Sequence, residues 1–575
     1  MLAGARARPR TSPLSGRLLR PAPLGLLLLA ACGASPKAQP TAQNGPPSTA
    51  SVRDGLAADL DSQESRTSLF ANWDPFIDPE GLPVVYEWSA GTAPGATDVL
   101  GWTAIGGATN AMASELQIPI GSPVYVNVRA SDMAANSSAI ASSDGIVAGQ
   151  RTPAWQAPAG RSGVPVGHLA SVEHGGIAWT FGKPALCGRF VNGDWWVQGP
   201  VEIVAISPPS TDDGQRVRHG SAVNPDPTSL VQGYDSGMFG DGEQGRFDRS
   251  RNVALGVDRS KPLLLAPGSS LVSTVSHPLA GHLPQLARCS VLTVLAEPPA
   301  ENAFRPPYCG SDKTCRWTAD QLDLGRLARL ETVDGAPELA DLVERLTPVW
   351  LDHLPGWTGS YLHPSENMPD YGRDLADLIG QAALALQLDL PEEQKRPLAI
   401  AMVQIGLDVA GVVQNGGRYV ADGGSGAGRK FPLLLAGALL RDDSLLQLAA
   451  TRKLAFAEDA QTFHVAETAP GVVNHGFGGY GPADLGLAEW GNRHADDPSL
   501  DQKSWTADPY RRCCTANAWV GFVLAARILG LEQAWGHDAL FDYVDRYLQI
   551  EPPQQWTRSW SRFPERMWDR YREQF

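Results

Sequence analysis

The stretch from Pro391 to Val413, PEEQKRPLAIAMVQIGLDVAGVV, decides the fold of the C-terminal region. After its acidic start it is apolar almost all round, as expected of an inner helix surrounded by other helices. Neighbouring segments show the same helical periodicity, with apolar faces at Leu339, Leu342, Val343 and Leu346, and at Leu375, Leu378, Ile379, Ala382 and Leu386. The sequence therefore predicts an all-α domain over residues 337–575.

Helices and long loops alternate through this region without a repeat of fixed length. The segments RKFPLLLAGALL, DSLLQLAATRKLAF, ANAWVGFVLAARILG and HDALFDYVDRYL continue the series towards the C-terminus. Helices joined in this way pack their apolar faces on one another. We expect an α/α toroid, or part of one, with long loops that open around a cleft.

The region before the helices has the alternation of β-strands. Residues 66–150 contain LFANW, VVYEW and VYVNVRA, which are short, rich in β-branched and aromatic residues, and separated by turn residues. Residues 165–300 contain a second set, including RFVNGDWWVQGPVEIVAI and CSVLTVLA, and predict a second sandwich of two sheets packed face to face. Residues 301–336 form a connecting segment.

The first β region resembles a family of sandwich domains. The run VYVNVRASDMAANSS, residues 124–138, resembles the late strand and following turn of a fibronectin type III domain, and Trp73 fits that fold's early core tryptophan. The usual tyrosine position holds Val124, with Tyr125 one place out of register. The resemblance implies a fibronectin III-like sandwich over residues 66–150, which is more often a spacer or binding module than a catalytic domain.

The N-terminus is predicted to be a targeting segment. Several arginines precede an apolar core, Leu24–Leu29, that is too short to span a bilayer. The run LAACG, residues 29–33, resembles a bacterial lipobox. That resemblance implies a signal peptide over residues 1–32, lipidation of Cys32, and a lipid-anchored protein of the cell envelope, at the outer membrane. An ordinary secretory signal is the alternative, and residues 33–65 predict a disordered tether.

The whole-chain composition limits the partners. The 575 residues carry a formal net charge of −15, and they show no basic stripe of the kind that binds nucleic acid. The Asp-rich segment within residues 207–251 lacks the spacing of an EF-hand loop. We therefore expect no nucleic-acid partner, and the sequence assigns neither a metal site nor a cofactor.

Export would place the cysteines in an oxidising compartment, where disulfides form. Cys309 and Cys315, in YCGSDKTC, are close enough in sequence to close a local loop. Cys187 and Cys289 lie on separate predicted strands and form a second candidate pair. A bond within the adjacent pair Cys513-Cys514 would be strained, so other partners or free thiols are equally compatible with the sequence.

Large and ionisable side chains concentrate in the loop PVWLDHLPGWTGSYLHPSENMPDYGRD, residues 348–374. Aromatic faces beside polar groups suit a sugar-binding cleft, where rings stack on pyranoses and polar groups contact hydroxyls. The candidates are Trp357, Tyr371 and Arg373 for binding and His363 for catalysis. A buried aromatic corner whose polar groups satisfy one another is the alternative.

A second, glycine-rich loop runs from Gln414 to Lys430, QNGGRYVADGGSGAGRK. It lacks the glycine and lysine spacing of a phosphate-binding loop. Arg429 and Lys430 are instead predicted to face an anionic group in the cleft, and a solvated cap on the following helix is the alternative.

The third polar cluster, residues 458–512, supplies groups suited to β-elimination on a uronic acid. Asn474 would neutralise the substrate carboxylate, His475 would remove the proton from the adjacent carbon, and Tyr480 would protonate the leaving oxygen. Arg493 and Arg512 are candidates for binding an acidic sugar.

This set resembles the Asn/His/Tyr/Arg constellation of α/α-toroid polysaccharide lyases, although only Asn-His and a downstream tyrosine match. The phrases WTGSYLHPSENMPDYGR and YRRCCTANAWVG also resemble those of uncharacterised exported bacterial proteins. The expected function is cleavage of an acidic polysaccharide by β-elimination. The alternatives are a non-catalytic glycan-binding lipoprotein and a glycoside hydrolase with paired carboxylates chosen from Asp352, Glu366, Asp370, Asp374, Glu458 and Asp459.

Overall fold

The structure is a computed structural model that divides into two compact units, Met1–Arg151 (unit 1) and Thr152–Phe575 (unit 2). It describes residues 44–575 except 56–58, 60–61, 64–68, 114–115, 120, 135, 149–164, 238–245, 279–282, 453–454, 470–471, 474–479 and 492–509. The predicted signal peptide, including Cys32, and the first part of the predicted tether lie outside the described residues.

Unit 1 is a β-sandwich. Its strands are β1 (Val52–Asp54), β2 (Ser62–Gln63), β3 (Leu69–Trp73), β4 (Val85–Gly91), β5 (Leu100–Gly106), β6 (Asn110–Ala113), β7 (Pro123–Ser131), β8 (Ala141–Ser142) and β9 (Ile146–Ala148). One sheet has the order β1-β3-β6, and the other has the order β2-β9-β7-β4-β5 with β8 paired to β7. The predicted N-terminal β-sandwich is confirmed.

Alternation of apolar residues along the strands builds the core of unit 1. In β7, Val124, Val126 and Val128 are buried, as period-two alternation requires for residues on one face. Trp73 on β3 is also buried, and its ring meets that of Tyr86 edge to face at 5.7 Å. The tryptophan predicted to lie in the early core therefore does so.

Unit 2 begins with a larger β region. Its strands are β10 (Pro165–His174), β11 (Ile177–Arg189), β12 (Trp195–Gln198), β13 (Val201–Ser207), β14 (Thr211–Asp212), β15 (Val217–Arg218), β16 (Ser221–Val223), β17 (Val231–Gln232), β18 (Arg246–Phe247), β19 (Leu263–Leu265), β20 (Ser269–Ser276) and β21 (Leu286–Leu295). Eight of them join in one sheet of order β16-β20-β21-β12-β11-β13-β19, with β10 paired to β11.

This single sheet corrects the prediction of two separate sheets packed face to face. Register shifts at β10–β11, β11–β13 and β20–β21 show where the ladder is irregular, and irregularities of this kind bend strands. Leu271 and Leu292 belong to an apolar cluster of the sheet's own, whereas Val272 and Val291 belong to the cluster of the helices. Both faces of β20 and β21 are therefore buried.

The helical region follows, as predicted. The helices are α1 (Leu339–Leu346), α2 (Gly372–Ala385), α3 (Glu392–Gln414), α4 (Lys430–Leu440), α5 (Asp443–Thr451), α6 (Ala457–Gln461), α7 (Val520–Ile528), α8 (Glu532–Trp535), α9 (Asp538–Ile550) and α10 (Arg562–Tyr571). Two small antiparallel pairs, β22 (Thr462–His464) with β25 (Ala488–Trp490) and β23 (Glu467–Ala469) with β24 (Val472–Val473), interrupt them.

The inner helices pack closely. α3 has the length and apolar composition of a membrane span, but 89% of its apolar window is buried inside the protein. α2 and α7 touch through glycines, because a Cβ added at Gly521 would lie 2.7 Å from the Gly380 backbone. This close contact fixes α2, which carries the candidate site described below.

A buried arginine joins the sheet of unit 2 to its helices. Arg305 Nε donates to Asp194 at 2.6 Å, and its Nη1 donates to Asp408 on α3 at 2.9 Å. Asp194 lies in the β11–β12 turn, so one guanidinium links the β region to the longest described helix. Because a buried charge needs a partner, this contact requires the two regions to pack together.

Candidate functional site

The centre of the 348–374 loop is an ion-pair network. Arg429 Nε donates to Asp352 Oδ2 at 2.7 Å, and His363 Nε2 lies 3.2 Å from Asp352 Oδ1. Burial opposes ionisation of Asp352, but Arg429 and His363 outweigh it and lower the pKa of Asp352 to about 2. The aspartate therefore acts as the counter-ion of this loop, with its side chain 11% exposed.

His363 has both ring nitrogens engaged within the protein. Nε2 faces the Asp352 carboxylate, and Nδ1 lies 2.9 Å from the Pro369 carbonyl oxygen. Both neighbouring atoms are oxygens of the protein itself, so the ring is held between them. His363 is also buried, which favours a positioning role over the predicted catalytic role.

The two cations of the glycine-rich loop are buried instead of facing a cleft. Arg429 is paired with Asp352, and Lys430 forms an ion pair with Asp459 and donates to the Trp535 carbonyl oxygen at 2.8 Å. Arg429 and Lys430 therefore contact carboxylates of the protein where the sequence analysis predicted an anionic substrate. The physical reason is that carboxylates of the protein already neutralise both charges.

The glycines of that loop serve close packing. A Cβ at Gly372, at the start of α2, would lie 2.2 Å from the Gly424 carbonyl oxygen. A Cβ at Gly424 would lie 2.5 Å from the Cys514 carbonyl oxygen. The loop thus packs between the start of α2 and the segment around Cys514.

The residues predicted for β-elimination are only partly described. Asn474, His475 and Arg493 lie outside the described residues. Tyr480 is buried, and its ring meets Phe463 edge to face at 6.0 Å. The structure therefore shows the environment of the proposed acid but not that of the proposed base.

Arg512 has a carboxylate partner in the protein. Its Nε lies 2.7 Å from Glu551, and Glu551 also accepts from the Thr557 hydroxyl at 2.7 Å. As with Arg429, the predicted substrate-binding charge is neutralised by the protein's own carboxylate.

A polar cleft lies beside α2. It has a volume of about 380 Å³ and is lined by Arg345, Pro369, Asp374, Asp377, Leu378, Gln381, Trp560 and Ser561. Positions 374, 377 and 381 follow the three- and four-residue spacing that places side chains on one helix face. Arg345 comes from the last turn of α1, and Ser561 precedes α10.

Asp377 is the perturbed acid of this cleft. Burial raises the pKa of Asp377 to about 6, and the nearby Asp374 charge adds to the rise. The Ser561 hydroxyl and the Gln381 side-chain amide donate to Asp377 Oδ2 at 2.5 and 2.7 Å and oppose part of it. A carboxyl group with this pKa holds its proton in weakly acidic solution, as a general acid must.

Aromatic rings border the cleft. Trp560 is 39% exposed, and the Arg373 guanidinium lies 3.5 Å from its ring centroid and 5.0 Å from that of Tyr371. Arg373 also donates from Nε to Asp374 at 3.0 Å. The structure therefore brings together the predicted Tyr371 and Arg373 with Trp560, which the sequence interpretation did not select.

The predicted Trp357 is an exposed ring in a neighbouring turn. It is 47% exposed, its backbone N–H donates to Asp422, and its ring lies 4.8 Å from that of Tyr361. It offers an aromatic face to solvent, as a sugar-binding residue would.

Sequence reasoning missed the buried acid of the cleft. Of the six carboxylates considered for a hydrolase pair, Asp374 is the one that lines it. Asp377 is flanked by the apolar positions used to predict α2, and its charge in the middle of an otherwise buried helix was the available signal. Trp560 lies beyond the last helix that the sequence pattern predicts.

The disulfide predictions need correction. Cys309 and Cys315 are free thiols in the structure, as are Cys187 and Cys289. The adjacent pair Cys513-Cys514 forms a disulfide. Arg373 Nη1 donates to the Cys513 carbonyl oxygen at 3.1 Å, so this disulfide lies next to the border of the cleft.

Comparisons with known proteins give no family. No family model matches the chain, and no curated protein matches it. Domains A168–A170 from titin share 18% identity over 18% of this chain and 32% of that chain, with a TM-score of 0.13. The FN1–FN3 domains of chicken CNTN1 share 13% identity over 44% of this chain and 69% of that chain, with a TM-score of 0.17. This chain thus spans about a third of the titin segment, and TM-scores this low transfer no function.

Proposed function

We propose that this chain acts on a polysaccharide and hydrolyses a glycosidic bond in the cleft beside α2. The observation that carries the proposal is a proton-holding carboxyl, Asp377, beside a second carboxylate, Asp374, in a cleft bordered by Trp560. Two carboxylates and an aromatic face are what glycoside hydrolysis and pyranose stacking need.

In this proposal Asp377 protonates the leaving oxygen, and Asp374 supplies the second carboxylate. Residues three apart on a helix have Cβ atoms about 5–6 Å apart. Retaining glycosidases hold their two carboxyl groups about 5–5.5 Å apart and inverting ones about 6.5–9.5 Å apart, so the anomeric configuration of the product reports which mechanism operates. Arg373 supports Asp374 by donating to it at 3.0 Å.

The cellular location and the arrangement of the helices are also part of the proposal. We infer from the lipobox-like run at Cys32 that the chain is exported and anchored to the membrane by lipid, with the helices of unit 2 forming part of an α/α toroid. The glycan would then be an extracellular one, and unit 1 would act as a spacer or binding module.

β-Elimination by Asn474, His475 and Tyr480 is the second candidate reaction. Its support is the residue set and the burial of Tyr480 beside Phe463. The pairing of Arg429, Lys430 and Arg512 with protein carboxylates weakens the case for an acidic substrate.

A panel of purified neutral and acidic polysaccharides tests the proposal. We expect new reducing ends without the ultraviolet absorbance of unsaturated uronates. Asp377→Asn should lower turnover by about 10²–10⁴, the usual contribution of a general acid. The control is Asp389→Asn, at an exposed aspartate after α2, which should keep full activity.

The other possible results of this panel each indicate a different function. Unsaturated products would select β-elimination, and binding without either product would select a non-catalytic glycan-binding protein. Full turnover in Asp377→Asn would remove this cleft from the mechanism.

A further inference from the structure

Three carboxylates of unit 1 meet where β1 ends beside the turn between β8 and β9. One oxygen each from Asp54, Asp59 and Asp144 lies within 4.8 Å of the other two. Asp54 closes β1, and Gly145, which follows Asp144, is 91 positions further along the chain. The fold therefore brings these acids together from distant segments.

Asp54 is the buried member of the cluster, with 0% of its surface exposed. The Gly145 N–H donates to its Oδ2 at 3.1 Å, while its Oδ1 is buried and has no hydrogen-bond partner among the described residues. Burying a carboxylate oxygen without a partner costs free energy, and a bound cation can remove that cost by coordinating the oxygen.

Arg53, the cationic residue next to Asp54 in the chain, forms its ion pair outside the cluster. Arg53 adjoins Asp54, but successive strand residues point to opposite faces, and Arg53 pairs with Asp74 at 2.7 Å. Arg53 therefore does not supply a hydrogen bond to the buried Oδ1 of Asp54.

We propose that Asp54, Asp59 and Asp144 form a calcium site in unit 1. Oxygen donors alone select a hard cation over a transition metal. Calcium takes six to eight oxygens in flexible geometry, whereas magnesium needs a near-ideal octahedron. Asp59 and Asp144 are exposed, so water can complete the shell around the three protein oxygens. The bound ion would tie the segment after β1 to the β8–β9 turn.

The test uses the full chain after treatment with a chelator, titrated with calcium chloride. Calorimetry should show one saturable site per chain, with a Kd on the order of 10⁻⁴–10⁻³ M, as in extracellular modules. Terbium luminescence gives a second readout, because the Tyr125 ring lies beside Gly145 at the cluster and can transfer excitation energy. Calcium should displace the terbium.

Variants decide whether these residues are the ligands. Asp59→Asn and Asp144→Asn, at exposed positions, should each weaken calcium binding by roughly tenfold or more. Asp98→Asn, at an exposed aspartate after the turn that follows β4, is the matched control and should bind as the unchanged chain does. Equal binding in all three variants, or no saturable binding by the unchanged chain, overturns the site. An equal response to magnesium chloride overturns the choice of calcium.

Discussion

Two charged regions of unit 2 contain the same residue types but differ in the partners of their acidic side chains. Around Asp352 and Arg305, each charge faces an opposite charge of the protein, and the groups are buried. In the cleft beside α2, Asp377 lies beside a like charge, Asp374, and its pKa is raised. A concentration of ionisable side chains therefore does not by itself indicate a site. The difference lies in the hydrogen-bond donors to the acid: Asp352 accepts from the Arg429 guanidinium, whereas Asp377 accepts from the uncharged Ser561 and Gln381.

The largest effect should come from breaking the buried network. Arg305→Ala leaves Asp194 and Asp408 buried without their shared partner, and breaking a buried pair typically costs about 3–5 kcal/mol. We expect the free energy of unfolding of unit 2, measured in urea, to fall by that amount.

The matched control is Arg570→Ala. Arg570 pairs with Glu331 at the exposed surface, where such pairs contribute about 0–1 kcal/mol. Similar losses in the two variants would mean that the Arg305 network does not hold the sheet and helices of unit 2 together.

A smaller loss of stability is expected from substitution of His363. This variant tests whether the buried network around Asp352 contributes to catalysis or only to stability. His363→Asn removes the ring that contacts Asp352 and the Pro369 carbonyl oxygen, so the free energy of unfolding should fall by about 1–3 kcal/mol. Turnover per folded molecule should change less than threefold. A stable variant with turnover lowered 10²-fold or more would instead restore the predicted catalytic role of His363.

The sequence predicted the elements better than the site. Periodicity was sufficient for α3 and for β7, because burial on all sides or on alternate sides leaves its pattern in the chain. It missed α10, where apolar residues alternate with many charges, although Phe563, Met567 and Trp568 are buried. Periodicity also could not show that eight strands of residues 165–300 pair in one sheet, because tertiary contacts determine which strands pair.

The candidate site was harder to predict from the sequence than the fold, because the partners of its charged side chains lie far away along the chain. Arg429 and Lys430 adjoin in sequence, yet Asp352 and Asp459 neutralise them from other segments. Arg373 lies against the Tyr371 ring from its own loop, whereas Trp560 comes from the loop before α10. Spacing along one helix could have indicated Asp374 with Asp377, and the remaining partners follow only from the fold.

The smallest effect concerns pH, and stability gives its first readout. The folded-state pKa of Asp377 is raised from 3.8 to about 6, so the native chain keeps a proton that the unfolded chain has lost between these values. The free energy of unfolding should therefore fall as pH rises through this window. Glu458, whose pKa burial raises to about 7, contributes with the same sign, so the difference between the unchanged chain and Asp377→Asn isolates Asp377.

Activity gives the second readout, because a general acid must carry its proton when the substrate binds. Above pH 6 the protonated fraction of Asp377 falls about tenfold for each pH unit, and kcat/KM should fall in proportion. The groups that face Asp377 act in opposite directions: Asp374 raises its pKa, and Arg345 lowers it. Asp374→Asn should therefore move the alkaline limb to lower pH, although that variant also loses turnover as the second carboxylate is removed. A limb that stays in place in Asp374→Asn would show that another acid donates the proton, and the cleft would then resemble the buried network, with its charges serving the fold.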